Sequence, residues 1–299
     1  MKKTLALLLV LLACGLTAAC AAEGLNVVAT NFPCYDFTRM VLGDLGEVTL
    51  LIRPGVEVHA YEPSPADILA IGEADLFVYI GGESDAWAED ILAGMDGDGP
   101  ATLRMIGAVT PLEEEGQDGI HGEPEYDEHI WTSPRNAIRM VSAVADALCA
   151  LDPDNASRYR DAADGWNTDI SEIDATLDQV VQNGARRELV FADRFPFLYF
   201  TREYGLDYLA AFPSCTADTE PTPQTMMNLI RRVQEDGIPV VYTIELSTQA
   251  VARTVAEETG AQVLTLHSMQ TVTQEEFDAG ETYVTLMWKN IEAVRRGLA

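Results

Sequence analysis

Between Asn155 and Asn183 the chain runs without a proline, and its apolar residues fall on one face. Tyr159, Ala163, Trp166, Ile170, Ile173, Leu177 and Val180 step by three or four, the period of an amphipathic α-helix. Gly184 ends the pattern. At ~1.5 Å per residue such a helix spans roughly 40 Å, more than one small sheet can cover. It predicts a spine that lies along two lobes at once.

The segments on either side of the spine support that expectation. Before it, the apolar runs 25–30, 47–52, 76–81 and 101–106 alternate with helical stretches. After it, 188–192, 207–212, 239–244 and 261–266 do the same, and a terminal helix follows from Tyr283. Strands alternating with helices argue for parallel sheets built from βαβ units. The expected class is α/β: two β/α lobes with four-stranded parallel sheets, joined by a long linking helix. The expected division is a signal segment at 1–19, a first lobe at 20–133 with an acidic loop at 113–128, a helical connector at 134–184, and a second lobe at 185–299.

The chain has 299 residues, which is enough for two cores. Its net charge is −29, and removing Lys2 and Lys3 with the first nineteen residues takes it to −31. Such a surface repels nucleic acid and anionic lipid and suits the handling of cations. Lys2 and Lys3 precede an apolar run to Thr17, and Ala18 and Ala19 precede Cys20. This is the form of a bacterial lipoprotein signal with Cys20 as the lipidated residue; Cys14 is the rival site, and an ordinary secretory signal the alternative. Of the remaining cysteines, Cys149 sits on an apolar helix face and reads as a small buried hydrophobe. Cys34 and Cys215 fall in loops of opposite lobes. Two free thiols are the favoured reading, with a cross-cleft disulfide or a soft ligand as alternatives.

Ligands of parallel α/β sheets meet the loops at the carboxyl ends of the strands. Here those loops hold His59 after the second strand and His129 after the fourth, beyond the acidic loop. In the second lobe they hold Asp193 and Arg194 after its first strand and His267 after its last. Three of the four histidines thus occupy one presumed mouth. If the lobes face each other, His59, His129, His267 and Asp193 form a set of imidazoles with a carboxylate, a suitable shell for Zn2+. His121, in a Gly-rich acidic loop, reads as a solvated histidine, with an auxiliary capture site as the alternative.

On these residues a resemblance rests. RPGVEVHAYEPSP and EHIWTSPRNA resemble the first and second ligand loops of the metal-binding proteins of zinc and manganese ABC importers, the family with a rigid linking helix. EPTPQTMMNLI, PVVYTIELS and ETYVTLMWKNIEAVRRGL resemble its second-lobe landmarks. The resemblance implies an extracytoplasmic, membrane-anchored monomer that passes Zn2+, or alternatively Mn2+, to an importer's permease and ATPase. It also implies that Tyr61 and Trp131 pack around the site. Two positions depart from the pattern. The third ligand position falls on Arg194, which has no lone pair to offer, so Asp193 is the adjacent donor. At the fourth, usually Asp, stands His267. A zinc hydrolase is the rival function, with Glu62 or Glu128 as general base, but H-E-x-x-H is absent from the sequence. A surface adhesin using the acidic loop is a third reading.

Overall fold

The structure is a computed structural model and describes residues 24–95, 97, 99–114, 126–212 and 221–299. The expected signal segment with Cys14 and Cys20, most of the acidic loop with His121, and Cys215 lie outside the described residues.

The first sheet contains β1 (Leu25–Ala29), β2 (Gly46–Leu50), β3 (Leu76–Tyr79) and β4 (Ala101–Arg104) in the order β2-β1-β3-β4, all parallel. The second contains β5 (Glu188–Phe191), β6 (Asp207–Ala210), β7 (Val240–Thr243) and β8 (Gln262–Thr265) in the equivalent order β6-β5-β7-β8. In both sheets the chain leaves the first strand to one side and returns to the other. Each therefore has a switch point, between β1 and β3 and between β5 and β7, where loops diverge and leave a crevice.

Helices α1 (Phe32–Leu42), α2 (Pro65–Gly72) and α3 (Ala86–Ala93) belong to the first sheet, and α6 (Leu198–Tyr204), α7 (Pro223–Asp236) and α8 (Ala250–Thr259) to the second. Two helices lie between the sheets in sequence, α4 (Pro134–Leu151) and the linking helix α5 (Ala156–Asn183). The short α9 (Gln274–Asp278) and the terminal α10 (Tyr283–Gly297) close the chain. Several starts are set by local chemistry. Ser133 accepts from the Asn136 N–H ahead of Pro134, and Ser64 forms a capping box with Asp67.

Strand alternation sorts the apolar residues into layers. Val27 and Ala29 face the main core, whereas Val28 turns to a smaller cluster with Ile71, Phe77 and Ala88. In the second lobe Leu189 and Phe191 face the main core, and Val190 packs with Leu229, Val233 and Val255. The main core is continuous. It runs from Phe37 and Trp131 through Tyr159, Ile170 and Leu177 of α5 to Phe191, Tyr242 and Val294.

Buried hydrogen bonds tie the two lobes together above the spine. The Trp131 indole N–H donates to the Ser268 carbonyl at 2.7 Å, and the Tyr283 hydroxyl to the Trp131 carbonyl at 2.9 Å. The Tyr199 hydroxyl donates to the Asp127 carbonyl at 2.7 Å. No described helix is long and apolar enough to cross a membrane.

Candidate metal centre

His59 lies in a short 3-10 turn, Val58–Ala60, after β2. His129 caps a similar turn, Ile130–Thr132, that leads into the Ser133 cap of α4. The two imidazoles face each other with centroids 5.9 Å apart. Glu128, beside His129, brings an oxygen to 3.5 Å from His59 Nδ1. One donor atom from each of His59, Glu128 and His129 lies within 4.8 Å of the others, the one such group of three among the described residues. A cleft of about 650 Å3 opens beside them, lined in part by Gly82, Ser84, Arg104 and Tyr126.

The ring of His129 is oriented from behind. Asp127 Oδ1 lies 3.2 Å from its Nδ1 and also accepts the His129 backbone N–H at 2.8 Å. A carboxylate facing Nδ1 favours the tautomer protonated there, so the Nε2 lone pair becomes the ligating one. Burial, and then the neighbouring His129, hold His59 below the ordinary histidine pKa. Neutral imidazole is the form that binds metal.

The second lobe meets this cluster through Gln270, whose amide nitrogen is 3.0 Å from His59 Nε2. The preceding residue, Met269, has φ 62°, the left-handed region that a non-glycine residue rarely adopts. Its N–H donates to His267 Nδ1 at 2.9 Å. The turn therefore presents Gln270 to the first lobe while fixing the ring of His267.

His267 stands apart from the cluster, between two carboxylates: Nδ1 is 3.6 Å from Glu245 and Nε2 3.5 Å from Glu276. Burial works to lower its pKa, but the two carboxylates prevail and it ends raised. His267 in turn is the main cause holding Glu276 down, at about 2. Asp193 is committed to the backbone. Its Oδ1 accepts from the Arg194 N–H at 2.9 Å and its Oδ2 from the Ile244 N–H at 3.4 Å, which staples β5 to the end of β7 at the switch point. Arg194 reaches across to Glu57 of the first lobe at 2.9 Å.

Of the four expected donors, then, the structure brings together His59 and His129, and places His267 and Asp193 outside their group. Sequence reasoning named Glu128 only as a base and missed Gln270 altogether. The signal for Glu128 was its position next to His129; a loop glutamine carries no such signal. Trp131 is buried beside His129, with ring centroids 5.5 Å apart, whereas Tyr61 packs on Trp87 and donates to Asp67. Cys34 is fully buried, and burial followed by the nearby Asp85 raises its thiol pKa, so it stays protonated.

A family model, zinc-uptake complex component A, periplasmic, matches residues 27–297. The zinc-binding lipoprotein AdcA of Streptococcus pneumoniae R6 is 32% identical over 306 residues, covering 98% of this chain and 61% of AdcA. The chain thus spans about three fifths of that relative's length. The high-affinity zinc uptake system protein ZnuA of Bacillus subtilis 168 is 30% identical, covering 92% of this chain and 88% of ZnuA. Among solved structures, the Zn(II)-bound ZnuA-like domain of S. pneumoniae AdcA superposes with a TM-score of 0.79 at 30% identity, over 92% of this chain and 99% of that domain.

Proposed function

We propose that this chain, which belongs to the family of the periplasmic component A of zinc-uptake complexes, captures Zn2+ outside the cytoplasm and delivers it to a membrane ABC importer. The observation that carries this reading is the facing pair His59 and His129, set with a carboxylate where the two sheets' loops converge. Two imidazoles and one carboxylate favour Zn2+ over the harder Mn2+. The related proteins named for zinc binding and zinc uptake point the same way.

In this reading His59 and His129 are metal donors, and the chain acts as a carrier without turnover. Asp193 and His267 can join the shell by approaching the pair; each Asp193 oxygen, accepting one N–H, keeps a second lone pair for a metal. The metal lies between the lobes 20–133 and 185–299, which the connector 134–184 joins. The carrier works as a monomer held to the cell membrane by lipid on Cys20, and its partners are the importer's permease and ATPase.

Metal analysis of the purified mature protein, followed by chelator competition with Zn2+ and Mn2+, tests this. One zinc per chain, bound more tightly than manganese, is expected, with near-complete loss of tight binding in His59→Ala and in His129→Ala. Wild-type protein without tight zinc, or both variants at wild-type affinity, would overturn the reading.

A further inference from the structure

Among the described residues, no second-lobe carboxylate joins the histidine pair in a group of three donors within 4.8 Å of one another. Gln270 is neutral, and Arg194 is a cation. Asp193 accepts one backbone N–H at each oxygen. Glu245 accepts the Ser268 N–H at 2.7 Å and its hydroxyl, and Glu276 accepts both the N–H and the hydroxyl of Thr273 at 2.8 Å. A divalent ion held by two neutral imidazoles still calls for negative charge.

Glu128 is where that charge stands. Its Oε1 lies 3.5 Å from His59 Nδ1. Two donors on one tetrahedral zinc are ~3.4 Å apart when the bonds are ~2.1 Å. The carboxylate is buried and held in place. The Ser84 N–H donates to Oε2 at 3.1 Å, and the Ser84 hydroxyl bonds Oε1. The side chain also fits against Gly82, where a Cβ would strike it. Each carboxylate oxygen has two lone pairs, so one bond from Ser84 leaves capacity for a metal.

The histidines are arranged to match. His129 has Asp127 at Nδ1, which directs Nε2 to the ion. His59 has the Gln270 amide at Nε2; with that amide turned over, its oxygen accepts Nε2–H and leaves Nδ1 to ligate on the Glu128 side. Each ring thus has one nitrogen for a protein partner and one for the metal.

We propose that Glu128 is a direct metal ligand, so that His59, Glu128 and His129 form a three-donor half-shell carried entirely by the first lobe. This rests on the zinc-carrier reading above and specifies its anionic donor. Gln270 of the second lobe lies over His59, 3.0 Å from its Nε2.

Zinc affinity by chelator competition and the visible spectrum of the Co2+-loaded protein are measured for wild type, Glu128→Gln and His129→Ala. Loss of an orienting partner costs ~10–100-fold in affinity, so a lost ligand should cost at least ~100-fold. Glu128→Gln is expected to reach that loss and to alter the Co2+ bands. Loss of binding in His129→Ala, with Glu128→Gln within a few-fold of wild type and an unchanged Co2+ spectrum, overturns the role of Glu128 alone. Failure of wild type to bind zinc overturns the carrier reading with it. A zinc-soaked crystal of wild type decides the point without a variant: a Glu128 oxygen at ~2.0–2.2 Å from the ion supports the assignment, and one beyond ~3 Å overturns it.

Discussion

Arg194 and Glu57 meet at 2.9 Å across the cleft, 137 residues apart in the chain. The guanidinium at the presumed third-ligand position therefore serves as a link between the lobes. Both side chains retain some exposure, so the pair contributes at most ~1 kcal/mol to stability. Its effect should appear in kinetics. Glu57→Gln is expected to speed zinc release severalfold in a stopped-flow chelator chase, with little change in melting temperature. Raised salt should speed the wild type toward the variant. Equal release rates would remove the latch.

Asp85 lies under the site with its Oδ2 accepting from the Ile80 N–H at 2.6 Å and from Gly81 and Thr30 at 3.3 Å. Burial, and then the charge of Glu128, raise its pKa to about 7. A raised carboxylate pKa means that the fold is most stable with Asp85 protonated. Stability is therefore lost as pH rises from ~4 to about 7, and stays level above that. Asp85→Asn should make the metal-free protein more stable at pH 8 by on the order of 2–4 kcal/mol, and much less so at pH 4.5. Urea unfolding at the two pH values measures this. A variant equally destabilised at both would show that the charge is not strained.

Asp193 supports two backbone N–H groups at the second switch point. Leaving buried donors unsatisfied costs ~1–3 kcal/mol each. Asp193→Ala frees both donors and should lower unfolding free energy by roughly 2–6 kcal/mol while zinc affinity changes less than tenfold. A folded, fully stable variant that has lost zinc would return Asp193 to the shell.

His267 between Glu245 and Glu276 should titrate above an ordinary histidine, its second proton displacing the Met269 N–H from Nδ1. Because its folded pKa is raised, the associated stability is complete below the ordinary value and is lost as pH rises through the folded one. Histidine NMR of the metal-free protein should show this midpoint, and Glu276→Gln should lower it. A midpoint at or below the ordinary value would mean that burial, not the carboxylates, governs the ring.

The strands were legible as short apolar runs between helical stretches, and the linking helix from the three-or-four step of its buried residues, among them Tyr159, Ala163, Ile170, Ile173 and Leu177. The five-residue α9 is too short to show a period. His59 and His129 were legible as histidines at strand ends. The roles of His267 and Gln270 were not, because they depend on the left-handed turn at Met269, which nothing in LTLHSMQ announces. Arg194 with Glu57 was equally hidden, since pairing across lobes is a property of the assembled cleft.

The terminal helix α10 does more than end the second lobe. Tyr283 at its start is fully buried, donates its N–H to Asp36 of α1 at 2.7 Å, and stacks edge-on against Phe37. Arg39 of α1 likewise reaches the Glu281 carbonyl at 3.0 Å. The lobe that is synthesised first is thus completed by a residue made 247 positions after the one it covers. A chain emerging from its amino terminus leaves Phe37 and Asp36 without this cover until Tyr283 has been made.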